Sequence, residues 1–178
     1  MAGVAVGHPT SCRARRPVSD AATAARPGGW SRPRNDAAVA SGWCWSDAWF
    51  FEAVAWAESA DAGADLGQVI AAGDIINHAV LGRDEIDGAV HRLVGAGLVE
   101  VVARRFTLTA RGHALRRPSE RVGVYERMNW LDAQLARLPI ADVDVGWTLG
   151  EDEWRTACDS YQDRFWTAYR RHSGRGRP

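Results

Sequence analysis

At 178 residues, with 46% hydrophobic residues and nine tryptophans, the chain is long enough for one domain with extensions and a substantial core. Its 22 basic and 22 acidic residues cancel, and every basic residue is arginine, so the composition does not favour a strongly electrostatic partner. No apolar run reaches the roughly 18 residues of a membrane-spanning helix, which excludes a membrane partner of that kind. The three cysteines form no CxxC pair, a pattern typical of a reducing, cytoplasmic compartment.

Residues 1–40 form a basic leader without hydrophobic periodicity. This segment holds six arginines against two aspartates, and four prolines interrupt any helix. The composition predicts a disordered leader. Two interpretations stay open: a basic arm that contacts nucleic acid, or extra residues from an upstream start codon that do not belong to the native protein.

The first predicted helix lies in DAWFFEAVAWAES, with Ser46 as its N-cap. Aromatic and small apolar residues recur there at helical spacing, which is typical of a core helix. Asp65 and Gln68 have the spacing of a capping box and predict the start of a second helix. We expect Gly73 to divide that helix into two short ones, QVIAA and DIINHAV.

The helix predicted over residues 83–96 is the most regular element of the sequence. Gly82 can cap it, with Glu85 at the third position, and Gly97 ends it. The segments LVEVV and RFTL predict the two strands of a hairpin, and Thr109 caps a short helix in ARGHAL. One face of the long helix is apolar and consists of Ile86, Val90, Leu93 and Val94.

Two amphipathic helices are predicted beyond Pro118, and the first of them ends at Pro139. The segment IADVDVGW is extended and has the pattern of a short edge strand. A capping box of Thr148 and Glu151 opens the last helix, and we expect a disordered tail over residues 173–178. The apolar stripes are Val124, Met128, Leu131, Leu135 and Leu138 in the first helix, and Trp154, Cys158, Tyr161, Phe165 and Tyr169 in the second.

Two stretches, RDEIDGAVHRLVGAGLVEV and RFTLTARGHAL, resemble the winged helix-turn-helix domain of MarR- and PadR-like bacterial regulators. The stretch GDIINHAV is similar to small uncharacterised bacterial proteins with the same core. The resemblance implies a mainly α fold with a small β-hairpin, a winged helix-turn-helix with two additional C-terminal amphipathic helices. The expected organisation is a winged helix-turn-helix domain over residues 41–117 and a helical extension over residues 118–172.

The resemblance also indicates where DNA would bind. In such domains the second helix of the motif enters the major groove, and cations near the hairpin contact phosphates. Three acids at the start of this helix, Asp84, Glu85 and Asp87, would face the polyanion and count against base recognition. The candidate DNA-binding residues are His91, Arg92, Arg104, Arg105 and Arg111.

No motif in the sequence indicates catalysis. There is no nucleophile elbow, phosphate loop or HExxH pattern, and we expect no catalytic, cofactor-binding or metal-binding residue. Asp74 and His78 are four residues apart and can share a helix face. Their spacing matches no established zinc site, so we interpret them as structural.

These patterns favour a non-enzymatic winged-helix regulatory protein in the cytoplasm. The first interpretation is a DNA-binding transcriptional regulator, with double-stranded DNA as its partner. A resemblance to PadR-like proteins implies a homodimer formed through the C-terminal helices. The alternative is a winged-helix protein–protein interaction module of uncharacterised role, without DNA binding.

Overall fold

The computed structural model describes residues 42–59, 62–141 and 144–173, with side chains as far as residue 165. This part of the chain is mainly helical with one small antiparallel hairpin, which confirms the predicted class of α with a small β-hairpin. The elements are α1 (Trp45–Ala57), α2 (Leu66–Asn77), α3 (Arg83–Gly95), β1 (Val99–Val102), β2 (Arg105–Leu108), α4 (Ala110–Arg116), a 3-10 turn (Arg117–Ser119), α5 (Val124–Leu135) and α6 (Glu151–Ser173).

The predictions for the leader over 1–40 and for residues 174–178 lie outside the described residues, and so does the side chain of Tyr169. Ser173, which the sequence placed in the tail, is the last residue of α6. In the described part of the chain, none of the helices is both long enough and apolar enough to cross a membrane.

Helix α1 lies at the centre of the fold. Eight consecutive residues, 47–54, are buried, so the helix is covered on every side. It begins at Trp45 because the Asp47 carboxylate accepts a hydrogen bond of 2.7 Å from the backbone amide of Cys44. The predicted cap at Ser46 is therefore wrong: Asp47 reaches back three residues and starts the helix earlier.

Helix α2 starts as predicted and then continues through Gly73. Asp65 and Gln68 form both bonds of the capping box, at 2.8 and 2.9 Å. The predicted division at Gly73 is wrong, because that residue packs inside the helix: an added Cβ would lie 3.1 Å from Leu81 Cδ1 and 3.3 Å from Trp49 Nε1. A small residue is needed there for close packing, and the backbone stays helical to Asn77.

Helix α3 and the hairpin form the middle of the chain. The Gly82 amide donates a hydrogen bond of 2.9 Å to Glu85, as predicted, and Gly97 ends the helical segment with φ at +66°. Strands β1 and β2 pair with Val99 opposite Leu108. The inner face of α3 is fully buried at Ile86, Val90 and Leu93.

A further backbone pairing extends the hairpin on its second side. Ala64, just before α2, exchanges hydrogen bonds of 2.8 and 2.9 Å with Phe106 of β2. No sequence pattern predicts this one-residue bridge. The cap of α4 does follow the prediction, since the Thr109 hydroxyl accepts a bond of 3.0 Å from the Gly112 amide.

Helix α5 adds its apolar side to the same core. Met128, Leu131 and Leu135 are buried and belong to one hydrophobic cluster with α1 and α3. The helix ends at Leu135, earlier than the predicted stop at Pro139. A proline ring clashes with the carbonyl four residues before it, here that of Leu135, so the chain passes into a tighter turn over Ala136–Leu138.

The start of α6 also differs from the prediction. The helix begins at Glu151, and the amide of Trp154 donates to the carbonyl of Gly150 at 3.0 Å, so Gly150 takes the place predicted for Thr148. Residues 144–150 follow an irregular path that forms no strand, which corrects the edge-strand prediction for the described part of IADVDVGW. Leu149 from this path is buried in the core, with 1% of its surface exposed.

Candidate interaction face of helix α3 and the hairpin

The sequence places its candidate residues on two neighbouring parts of the fold, the outer side of α3 and the hairpin with the start of α4. We name this surface the α3–hairpin face. His91 and Arg92 lie on α3, Arg104 is in the turn between the strands, Arg105 opens β2, and Arg111 is in α4. His91 is half-buried. Each of the four arginines has a partner within the chain, as follows.

Arg92 is bound by a buried carboxylate. Its Nε and one terminal nitrogen lie 2.8 and 2.7 Å from the two oxygens of Asp47, which is fully buried in α1. Burial raises the pKa of Asp47, although the hydrogen bonds from Arg92 act in the opposite direction. A bidentate pair of this kind fixes the guanidinium group, so Arg92 joins α3 to α1.

Arg104 is held by three groups near the start of α6. Its Nε donates to Glu153 at 2.7 Å, and a terminal nitrogen contacts the second oxygen of the same carboxylate. The guanidinium carbon lies 5.3 Å from the centre of the Trp147 ring, within cation–π range. The carbonyl of Thr148 accepts a further bond of 3.3 Å.

Arg105 and Arg111 bind backbone carbonyls. Arg105 donates to the carbonyls of Ala62 and Gly63, the second at 2.9 Å, and so ties β2 to the loop before α2. Arg111 donates at 2.6 Å to the carbonyl of Ala96, just after the end of α3. Both arginines therefore satisfy carbonyl groups at chain turns, a role that surface arginines often have at helix ends.

The structure also brings to this face a segment that sequence reasoning missed, residues 147–154, which we name the C-terminal strap. The strap amide at Leu149 donates to the Asp87 carboxylate at 2.8 Å. Arg83 donates to the Leu149 carbonyl at 3.3 Å and lies 3.4 Å from Glu151. At its far end, Trp154 Nε1 donates to the carbonyl of Leu81 at 3.1 Å.

The apolar side chains of the strap enter the core. Trp147 is 8% exposed and packs edge-to-face on Phe106, with ring centres 5.9 Å apart. Leu149 is almost fully buried. Burying a side chain of this size stabilises a fold by roughly 1.5–3 kcal/mol, so the strap is a well-fixed part of the described structure.

One signal in the sequence could have indicated the strap. Trp147 and Leu149 alternate with polar residues, and three acids follow at positions 151–153. The sequence pattern predicts only a capping box at Glu151, and it places Asp87 on a surface facing DNA. In the structure Asp87 accepts a hydrogen bond from the backbone amide of Leu149, so its role in the fold explains this acidic residue.

A cleft of about 270 Å³ lies beside this face, between the start of α2 and α6. Its charged groups are paired across it: Arg104 with Glu153, and Arg164 with Asp65 at 4.0 Å. Because each cation faces a carboxylate, the lining favours neither an anionic nor a cationic ligand.

Asp74, which the sequence groups with His78, has a different side-chain partner in the structure. The Asp74 carboxylate accepts a hydrogen bond from the hydroxyl of Tyr161, and this bond raises the pKa of Tyr161 to about 12. His78 lies just after α2 in a left-handed conformation. Among the described residues, no three His, Cys, Asp or Glu side chains gather as metal ligands.

Comparisons with known proteins add no relative to this description. None of the protein-family models matches the chain, and searches of curated proteins and of solved structures return no match.

Proposed function

We propose that the chain is a non-enzymatic winged-helix protein that works through protein–protein contacts and does not read DNA. The order of three helices, a hairpin and a further helix supports the winged-helix assignment. The main support for the proposal that DNA is not bound is that all four candidate arginines are bound by groups of the same chain. DNA-binding domains need such cations free for phosphates and base edges.

Releasing these arginines for a nucleic acid has a large energetic cost in one case. Breaking the Arg92–Asp47 pair would leave a fully buried carboxylate without its counter-charge. Uncompensated charges of this kind destabilise proteins by about 3–5 kcal/mol. A phosphate at the surface does not recover that amount, since exposed ion pairs contribute about 1 kcal/mol or less.

The electrostatics of α3 point the same way. Asp84, at the start of the helix, is exposed and pairs with its sequence neighbour Arg83. The strap carboxylates Glu151 and Glu153 pair with Arg83 and Arg104, so these two cations of the α3–hairpin face are balanced within the chain. Cations that are already balanced by carboxylates do not attract a polyanion, which supports a protein partner instead.

Fluorescence anisotropy with mixed DNA duplexes at low salt tests the proposal. We expect no binding at micromolar concentrations of the full chain, with or without Arg104→Ala and Arg105→Ala. Salt-sensitive binding that weakens on these two substitutions, but not on Arg121→Ala at an exposed site elsewhere, would refute the proposal and favour the transcriptional regulator.

A second copy of the chain is the first protein partner to test. Phe165 on α6 is half exposed, and its ring lies 6.4 Å from that of Tyr161. Ile75 on α2 is 63% exposed beside Asp74, which bonds to the same Tyr161, so apolar surface is present where α2 and α6 meet. Light scattering of the full chain measures the association directly, and a monomer mass at all concentrations would contradict a homodimer through the C-terminal helices.

A further inference from the structure

The C-terminal strap contacts the α3–hairpin face in the way that a short peptide contacts a binding site. Two apolar anchors, Trp147 and Leu149, are buried two residues apart. One backbone amide, that of Leu149, bonds to Asp87 on the receiving surface. Interfaces of this kind draw most of their affinity from a few buried aromatic and aliphatic anchors.

Charge complementarity accompanies the apolar anchors. On the receiving surface, Arg83 faces Glu151 and Arg104 faces Glu153. The two arginines lie on different elements, α3 and the hairpin turn, so the acidic residues of the strap join both parts of the face. Opposite charges arranged in this way set the register of a bound segment and reject basic ones.

We propose that the α3–hairpin face is a docking site for an acidic segment of a partner protein that carries tryptophan and leucine two residues apart, and that the strap, residues 147–154, occupies this site within the chain. This inference rests on the proposed function, because it identifies the chemistry of the protein partner. The occupant is defined by what the surface binds here: an aromatic anchor against Phe106, a leucine in the core and carboxylates opposite Arg83 and Arg104.

The strap competes with such a partner. A segment tethered in the same chain has an effective concentration of about millimolar, so a partner binds weakly while the strap is in place. The apparent dissociation constant rises in inverse proportion to the fraction of molecules in which the site is open. Weakening the strap should therefore increase the affinity for a second segment in proportion to the increase in the open fraction.

The test uses the full chain and a labelled peptide with the sequence of residues 144–156. Fluorescence anisotropy compares the unaltered chain with Trp147→Ala, which removes the aromatic anchor of the strap and leaves the receiving surface intact. We expect the peptide to bind the variant at least about tenfold more tightly. A control peptide with alanine in place of its tryptophan and leucine should not bind, and adding Arg104→Ala to the variant should reduce binding.

A second variant covers the case in which Trp147→Ala does not fold, as judged by circular dichroism. The double variant Glu151→Gln, Glu153→Gln weakens the strap only by removing its exposed ion pairs. We expect this variant also to bind the peptide more tightly than the unaltered chain does. Equal affinity for the unaltered chain and a folded strap variant, or no binding to either variant, would overturn the inference. The duplex experiment separates the two proposals: DNA binding refutes the proposed function, whereas peptide binding that ignores the strap refutes only this site.

Discussion

Replacing Glu52 by glutamine is expected to destabilise the protein by about 3 kcal/mol. Glu52 is fully buried in α1, and its partners come from two later helices and from α1 itself. Arg116 donates to both of its oxygens, at 2.8 and 3.0 Å, and Arg127 donates at 2.5 Å. Trp56 Nε1 adds a fourth bond of 2.7 Å.

The magnitude follows from how little water reaches the two arginines. Their side chains are 16% and 10% exposed, so after loss of the carboxylate charge little water is available to solvate the two guanidinium charges. Breaking a buried pair typically destabilises by about 3–5 kcal/mol, and the glutamine amide oxygen can still accept a hydrogen bond, which favours the lower end. The hydrogen bond from Arg116 to Glu52 also raises the pKa of Arg116, so this arginine stays charged.

Urea denaturation followed by circular dichroism measures this change in the free energy of unfolding. Glu120→Gln is the matched control, because Glu120 pairs with the same Arg116 at 3.3 Å but is 49% exposed, and we expect it to change stability by about 0.5 kcal/mol or less. A loss below about 1 kcal/mol for Glu52→Gln would show that the buried charge is not what joins α1 to the later helices.

Two further substitutions test packing and hydrogen bonding. Gly112→Ala places a Cβ 2.2 Å from the carbonyl oxygen of Leu98, and this backbone atom cannot move aside, so urea or thermal unfolding should show a loss of stability of at least about 2 kcal/mol. The control is Gly123→Ala, whose added Cβ has no atom within 4 Å and should change stability by under about 1 kcal/mol. Equal effects of the two substitutions would contradict the geometry. Tyr161→Phe removes the hydroxyl bond to Asp74 and should cost about 1 kcal/mol. In the unaltered protein the pKa of Tyr161 is raised from 10 to about 12, so the neutral hydroxyl stabilises the fold below pH 10 and this contribution is lost as the pH rises towards 12. A tyrosine absorbance titration in which no tyrosine ionises later than the others would refute this.

Local signals in the sequence predicted the starts of α2 and α4, where a side chain bonds a nearby backbone amide. Asp65 with Gln68, and Thr109 with Gly112, are within three residues of each other, so a short-range pattern is enough to identify them. Gly73 shows where that reasoning fails. Its intrinsic preference is to break a helix, but packing against a residue eight positions later holds the helix together.

The candidate site was harder to predict because its contacts join distant parts of the chain. Arg92 meets a carboxylate 45 residues earlier, and Arg104 meets one 49 residues later. A sequence pattern shows that these residues are cationic and near a helix or a turn. The pattern does not show which distant carboxylate pairs with each arginine. In the sequence, an arginine that binds within the chain therefore looks the same as one that would bind phosphate.

The complete burial of α1 has a consequence for how the sequence can vary. In an ordinary amphipathic helix such as α5, the buried positions recur every three or four residues, and the positions between them tolerate substitution. In α1, residues 47–54 are buried without a gap, and two of them are carboxylates with fixed partners. A library of all single substitutions would therefore show one unbroken block of intolerant positions in α1, with no helical period. Sequence variation would then be concentrated in the helices that pack around α1.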